Sequence, residues 1–302
     1  MSQAVDKDNI QAVPAPKIED DAHKGKLGKV LCLAGSETMP GAAILVLRAT
    51  QRAGAGLVTL ATFDKSIIHS AAIAIPEAVY IDLSRSKDLV AGRLPSQLAD
   101  RDDDVRIAGP GMGRGGRTDE LIRCLVEDDF SGPLVLDADA LNVIGDTPEV
   151  LAGYCEDLIV TPHPGEAARL LGTGSISSNS EERIESAILI ARAASAICVL
   201  KGPQTVVTDG QRVFVCPRGN PGMATAGAGD VLAGVIGAYV GYSRRLGLPE
   251  WGVFEATCSA VHVHSLAGDL AAKKFGYRAL IASSIVDYLC VAQMEFEATS
   301  RP

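Results

Sequence analysis

Gly219-Asn220-Pro221-Gly222-Met223-Ala224-Thr225-Ala226-Gly227-Ala228-Gly229-Asp230 is a glycine-rich loop that runs at once into an apolar helix. Such a loop turns successive backbone N–H groups toward one point. The dipole of the helix adds partial positive charge there, and together they make an anion site suited to phosphate. Asp230 falls in the first helical turn, where the dipole favours the ionised carboxylate. A carboxylate beside a phosphate cradle repels the phosphate, so its presence calls for a reason. Proton abstraction from a hydroxyl that attacks a phosphoryl group supplies one. The plainer alternative is a helix start that uses Gly and Asp as ordinary caps.

Upstream of this loop the chain alternates between two kinds of segment. Val30–Leu33, Leu57–Leu60, Val105–Ala108, Leu134–Leu136, Leu158–Val160 and Ile197–Leu200 are short continuous apolar runs. Such runs mark strands buried on both faces. Between them Gly41–Ala53, Thr118–Val126, Glu166–Leu171 and Glu181–Ala194 have helical composition or period. The alternation predicts an α/β fold, a mostly parallel sheet with helices on both faces. Asp209-Gly210 between two β-rich runs predicts an antiparallel hairpin over 205–215, on a turn with positive φ at both central residues. Beyond Gly229 the pattern is helical: Asp230–Val240, Val253–Lys274 and Ser283–Glu297. No repeat or internal linker divides the chain, so residues 23–302 are expected to form one domain. Residues 1–22 carry charges and prolines without an apolar face and read as a flexible N-terminal tail.

Composition narrows the function classes. The chain has 302 residues, 47% of them hydrophobic and 4% aromatic, and a formal net charge of −9. An acidic chain without a Lys/Arg run and with few stacking aromatics argues against nucleic acid as a partner. Seven cysteines, Cys32, Cys124, Cys155, Cys198, Cys216, Cys258 and Cys290, form no C-x-x-C pair and mostly sit in apolar runs. That is the pattern of buried thiols in a reducing compartment. No stretch approaches the ~18 uninterrupted apolar residues of a membrane helix, and the N-terminus lacks a secretory core. The expectation is a soluble, cytoplasmic protein with no membrane partner.

Other loops at predicted strand ends bear polar groups, where open α/β sheets bind ligands. In Thr161-Pro162-His163-Pro164-Gly165-Glu166, His163 is either a ligand contact or a loop histidine bonded to backbone. Glu166 is a candidate helix cap. In Lys201-Gly202-Pro203-Gln204-Thr205, the lysine either neutralises a phosphate or snorkels at a sheet edge. Gly109–Gly113 is a phosphate loop or a plain turn. Asp137 and Asp139, in Asp137–Asn142, help hold Mg²⁺ through waters or cap a helix. Ala34-Gly35-Ser36 with Gly41-Ala42-Ala43 lines a cleft or marks close helix packing. His262 and His264, two apart on a helix, do not face one another and make an improbable metal pair.

The order of these motifs is more specific than any one of them. Gly-x-Gly-Asp opening a late helix resembles the ribokinase-like superfamily. Lys24-Gly25 through Gly35-Ser36, Gly41–Ala43, Ala53–Val58, Gly109–Gly113, Asp137–Asn142, Thr161–Glu166, Lys201–Thr205 and Asn220–Gly234 together resemble the ADP/ATP-dependent NAD(P)H-hydrate dehydratases, over about residues 23–295. The resemblance implies ADP- or ATP-driven dehydration of the S epimer of hydrated NADH or NADPH, with Mg²⁺, releasing phosphate and AMP or ADP. It implies Asp230 as catalytic base. Ala42, Gly113, His163 and Asp230 would contact the hydrated nucleotide. Lys201, Gly202, Pro203, Gln204, Thr205 and Gly229 would contact the adenine nucleotide, and Ala226, Gly227, Ala228 and Gly229 would form the phosphate loop. It also implies a homo-oligomer and, since many relatives carry an epimerase domain in front, a separate NAD(P)H-hydrate epimerase as functional partner. The rival expectations are a ribokinase-like kinase of a vitamin or sugar, which would release a stable phosphorylated product, and a non-catalytic nucleotide sensor.

Overall fold

The apolar runs lie side by side in one sheet of nine strands. The computed structural model describes residues 10–154 and 157–299. In chain order the elements are β1 (Lys29–Leu33), α1 (Pro40–Arg52), β2 (Leu57–Thr62), α2 (Lys65–Ala74), β3 (Val79–Asp82), α3 (Ser96–Ala99), β4 (Val105–Ala108), α4 (Gly116–Glu127) and β5 (Leu134–Leu136). There follow α5 (Asp139–Ile144), β6 (Leu158–Val160), α6 (Pro164–Leu170), α7 (Ser180–Ala194), β7 (Ile197–Leu200), β8 (Val206–Thr208) and β9 (Val213–Val215). Helices α8 (Ala228–Leu246), α9 (Val253–Phe275) and α10 (Ala282–Ala298) close the described chain.

The strand order is β3-β2-β1-β4-β5-β6-β7-β8-β9. The seven strands β1 to β7 run parallel, and β8 pairs antiparallel with both β7 and β9. Strand alternation feeds two cores. In β1, Val30 and Cys32 pack toward α1, α8, α9 and α10, while Leu31 and Leu33 pack toward α4 to α7. Both faces are therefore apolar, which is why these strands appear as unbroken hydrophobic runs rather than alternating ones.

This topology sets the position of a cleft. From β1 the chain winds to β2 and β3 on one side, then returns to β4 on the other. The loops leaving β1 and β4 diverge there, and ligands of open α/β sheets bind at such a point. The two loops are stitched together: the Gly35 N–H donates to the Pro110 carbonyl at 2.8 Å, and the Gly109 N–H to the Leu33 carbonyl at 3.2 Å.

Four expectations need correction. The hairpin is present, but its connection is Asp209–Arg212, and of Asp209 and Gly210 only Gly210 has a positive φ, +87°. The Asp209 side chain accepts from the Gln211 and Arg212 N–H groups, and this replaces the tight two-residue turn. Helix α8 runs on to Leu246 straight through Gly241, which packs against Gly28 just before β1; a Cβ on Gly28 would lie 2.7 Å from the Gly241 carbonyl carbon. The unpacked tail expected over residues 1–22 does not hold at residues 10–17. Ile10, Ala12 and Ala15 pack against the α8–α9 core, Ser259 donates to the Val13 carbonyl, and Tyr242 donates to the carbonyls of Pro16 and Lys17. Residues 1–9 lie outside the described residues. Five cysteines are buried, but Cys290 is exposed on α10, and Cys155 lies outside the described residues. No described helix is long and apolar enough to cross a membrane.

Candidate active site

The glycine-rich loop enters α8 through a fixed set of bonds. Asn220 caps the short turn Pro221–Met223 by accepting from the Gly222 N–H at 3.0 Å. Asp269 on α9 accepts from the Gly219 N–H and from Asn220 Nδ2. Gly227 is the N-cap of α8 with φ +87°, and a Cβ there would lie 2.4 Å from Leu45 of α1, so only glycine fits. The N–H groups of Ala226, Gly227, Gly229 and Asp230 have no acceptor among the described residues. Unpaired N–H groups at the start of a helix of 19 residues form the donor set that anions take up.

Asp230 lies in the first turn of α8. Burial raises its carboxyl pKa to about 6; the Asp137 and Asp139 carboxylates push the same way, and Lys201 opposes them. A carboxyl tuned toward neutrality suits a general base better than an ordinary aspartate does.

Lys201, at the end of β7, bridges the loops. Its Nζ lies 2.6 Å from Asp137 Oδ1, 3.8 Å from Glu166 Oε2, and 3.4 Å from where a Gly229 Cβ would stand. Burial works against the ammonium, but Asp137 and Glu166 outweigh it, and its pKa sits above the usual lysine value. Strand β7 is interior, between β6 and β8, so Lys201 does not snorkel at a sheet edge. Asp137 itself is 1% exposed and also accepts from the Thr161 hydroxyl at 2.6 Å. The remainder of the 201–205 segment is an exposed turn: Gly202 and Gln204 have positive φ, and Thr205 Oγ1 donates to the Gly202 carbonyl.

His163 is the N-cap of α6. Its Nδ1 accepts from the Gly165 and Glu166 N–H groups, and Glu166 Oε2 accepts from the His163 N–H. The imidazole is half exposed, with Nε2 at 3.3 Å from Glu166 Oε1. The loop-histidine reading, with the ring bonded to backbone, is therefore what the structure shows, and the ring keeps an exposed face. Glu166 is more than a cap, since it is buried and faces Lys201. The Gly113 N–H donates to Asp139 Oδ2 at 2.8 Å, and Gly111 packs on the Ala42 side chain. Asp230, Gly229, Lys201, Asp137, Glu166 and His163 are thus linked contact by contact. Gly113 and Ala42 belong to the adjoining β1/β4 cleft, joined through Asp139. Sequence reading missed two supports of this site on α9: Asp269 altogether, and His264, weighed only as half of an improbable metal pair. His264 Nε2 bonds the Ala228 carbonyl at 3.0 Å. Neither lies in a motif; only the packing of α9 on the loop brings them there.

A doubly wound sheet with an edge hairpin and a Gly-Ala-Gly-Asp helix start defines a ribokinase-like fold. A family model described as NAD(P)H-hydrate dehydratase matches residues 30–290. The ADP-dependent (S)-NAD(P)H-hydrate dehydratase of Neisseria meningitidis is 35% identical over 271 residues, 88% of this chain and 85% of that protein. The bifunctional NAD(P)H-hydrate repair enzyme of Moorella thermoacetica is 39% identical over 282 residues, 91% of this chain but 51% of that protein. The chain therefore spans about half the length of the bifunctional relatives it matches. The crystal structure of the ADP/ATP-dependent NAD(P)H-hydrate dehydratase of Bacillus subtilis, co-crystallised with ATP and Mg²⁺, superimposes with a TM-score of 0.78 at 27% identity, covering 94% of this chain and 95% of that one. The chain belongs to the NAD(P)H-hydrate dehydratase family.

Proposed function

We propose that this protein uses ADP or ATP to dehydrate the S epimer of hydrated NADH or NADPH, with Asp230 as catalytic base. The observation that carries the reading is the placement of Asp230, its pKa lifted to about 6, beside the unpaired N–H groups that open α8. Hydroxide is a poor leaving group, so the C6 hydroxyl must first be converted. Asp230 takes its proton as the oxygen attacks the terminal phosphorus of the nucleotide. The bond to the nucleoside phosphate breaks, and AMP or ADP leaves. The N–H groups of Ala226–Gly229 stabilise the charge on the transferring group. Electrons from the ring nitrogen then expel phosphate, a proton leaves C5, and the C5–C6 double bond returns. Ala42, Gly113 and His163 line the side proposed for the hydrated nucleotide, and Lys201–Thr205 the side proposed for the adenine nucleotide. An NAD(P)H-hydrate epimerase, interconverting the R and S hydrates, is the proposed functional partner.

No group of three or more His, Cys, Asp or Glu among the described residues is arranged to hold a metal ion. Asp137 and Asp139 already accept protein donors. Mg²⁺ would be carried mainly by the nucleotide phosphates, and Asp137 and Asp139 are the side chains that would help hold it through water. When bound it neutralises phosphate charge.

The test is incubation with the S hydrate of NADH, Mg²⁺ and either ADP or ATP, following dihydronicotinamide absorbance and free phosphate. One NADH regained per phosphate released and per nucleotide shortened is expected. NADH regained without nucleotide consumption refutes the phosphorylation step. A phosphorylated product that persists shows an ordinary kinase instead.

A further inference from the structure

His264 is buried in the middle of α9, without a carboxylate partner among the described residues, and its ring points at the start of α8. A carbonyl can only accept, so Nε2 carries the proton and donates it to Ala228. Burial holds the imidazole pKa down at about 4, which keeps the ring neutral. The Ala228 carbonyl and the Gly229 N–H belong to one peptide unit. That unit is planar and trans, so its C=O and N–H point in opposite directions. A donor that holds the carbonyl from behind therefore sets the direction of the N–H in front. A hydrogen bond on the oxygen also polarises the amide and strengthens it as a donor.

We propose that His264 is a positioning residue of this site: by holding the Ala228 carbonyl it aims the Gly229 N–H at the phosphoryl group. Its neighbours on α9 extend the same support. One turn on, Gly268 leaves room for Met223, whose sulfur lies 2.3 Å from where a Cβ would stand. Asp269 binds Gly219 and Asn220 at the loop's beginning. One face of α9 thus holds the loop at its start, middle and end. A histidine is suited to the last position because it reaches across the interhelical gap and presents a single N–H there.

The role in turnover rests on the proposed dehydratase reading; the role in aiming the amide does not. The test therefore has two arms, both on the full chain. In the first, ¹⁵N-labelled protein is titrated with ADP and the Gly229 amide resonance is followed. The wild-type resonance should shift on ADP addition. His264→Leu should lose most of that shift while distant resonances stay in place. His264→Gln, whose amide N–H has a similar reach, should keep it. If His264→Leu does not fold, His264→Asn, too short to reach the carbonyl, replaces it. In the second arm, His264→Leu should lower kcat about tenfold or more, short of the 10²–10³ lost when such a donor is deleted outright. KM for the hydrate should stay within about threefold, the mark of an interaction that acts in the transition state. An equal Gly229 response in wild type and His264→Leu, or equal loss in the Leu and Gln variants, overturns the proposal. A wild-type protein whose Gly229 responds to ADP but which regains no NADH overturns the dehydratase reading and leaves the positioning role standing.

Discussion

The Lys201 ammonium lies 2.6 Å from the Asp137 carboxylate, so the lysine beside the phosphate loop is already paired. Its charge balances buried acids as well as any ligand. Lys201→Ala should leave Asp137 and Glu166 without their cation, and breaking a buried pair costs about 3–5 kcal/mol. Lys201 also lowers the Asp230 pKa, so the acid limb of the kcat/KM profile, which reports the free enzyme, should move upward from about 6 in this variant. Denaturant unfolding and a pH–rate profile check the two effects; an unmoved acid limb would detach Lys201 from the base.

Asp230→Asn should keep nucleotide binding and lose turnover by roughly 10²–10⁴, because the shape survives and the base does not. Relief of anionic repulsion should leave the ADP dissociation constant unchanged or lower. Calorimetry with ADP and the dehydration assay decide it; near-normal turnover removes Asp230 from the role.

The same substitution has a signature in stability. The folded-state pKa of Asp230, about 6, lies above the ordinary 3.8, so the native protein holds that proton more tightly than the unfolded chain. The resulting stabilisation is full below 3.8 and lost as pH rises through 6. Asp230→Asn should therefore melt higher than wild type at pH 8, and the gap should shrink as pH falls toward 4. Paired melting curves across that range check the sign.

His163→Ala should weaken binding of the hydrated substrate more than of ADP, since His163 lies in a different loop from Lys201–Thr205. It also removes the α6 cap, at about 0.5–2 kcal/mol. His163→Asn, which can cap but lacks the ring, should restore the melting temperature and not the affinity. Equal weakening of both ligands would refute this division of the site.

Removing the chain through Lys17 should lower stability. Three partly buried apolar side chains, Ile10, Ala12 and Ala15, are worth about 1–2 kcal/mol, or roughly 2–6 °C. An unchanged melting temperature would mean that their packing on α8 and α9 contributes nothing.

The interior strands were legible because burial on both faces writes them as uninterrupted apolar runs; β4, β5, β6 and β7 match their sequence-read limits. The edge strand β3, Val79–Asp82, escaped because it is half-buried and short and pairs with β2 alone. The docked segment at 10–17 escaped for a related reason: its few apolar residues have no period of their own and fit a surface formed by distant helices. Within the site, loops at strand ends could be recognised, since glycine, proline and charge stand out there. The Lys201–Asp137 pair, the Glu166 contact and the His264 bond could not, because each joins loops whose adjacency is decided by strand order. The turn at Asp209-Gly210 went the other way. Its dipeptide predicted a tight turn, and the Asp209 side chain, accepting from N–H groups two and three residues on, settled a longer one.

The return of the chain from β3 to β4 across β1 bears on how the protein acquires its site during folding. The loops that meet there come from widely separated parts of the chain, and α8 supplies its share only after all nine strands have been made. Contacts of such long sequence separation form late, since loop closure must precede them. A nascent or partly folded chain should therefore have no weak version of the site to offer. Nucleotide binding would then report completion of the native state, and the ligand would act as a late stabiliser that cannot recruit unfinished molecules.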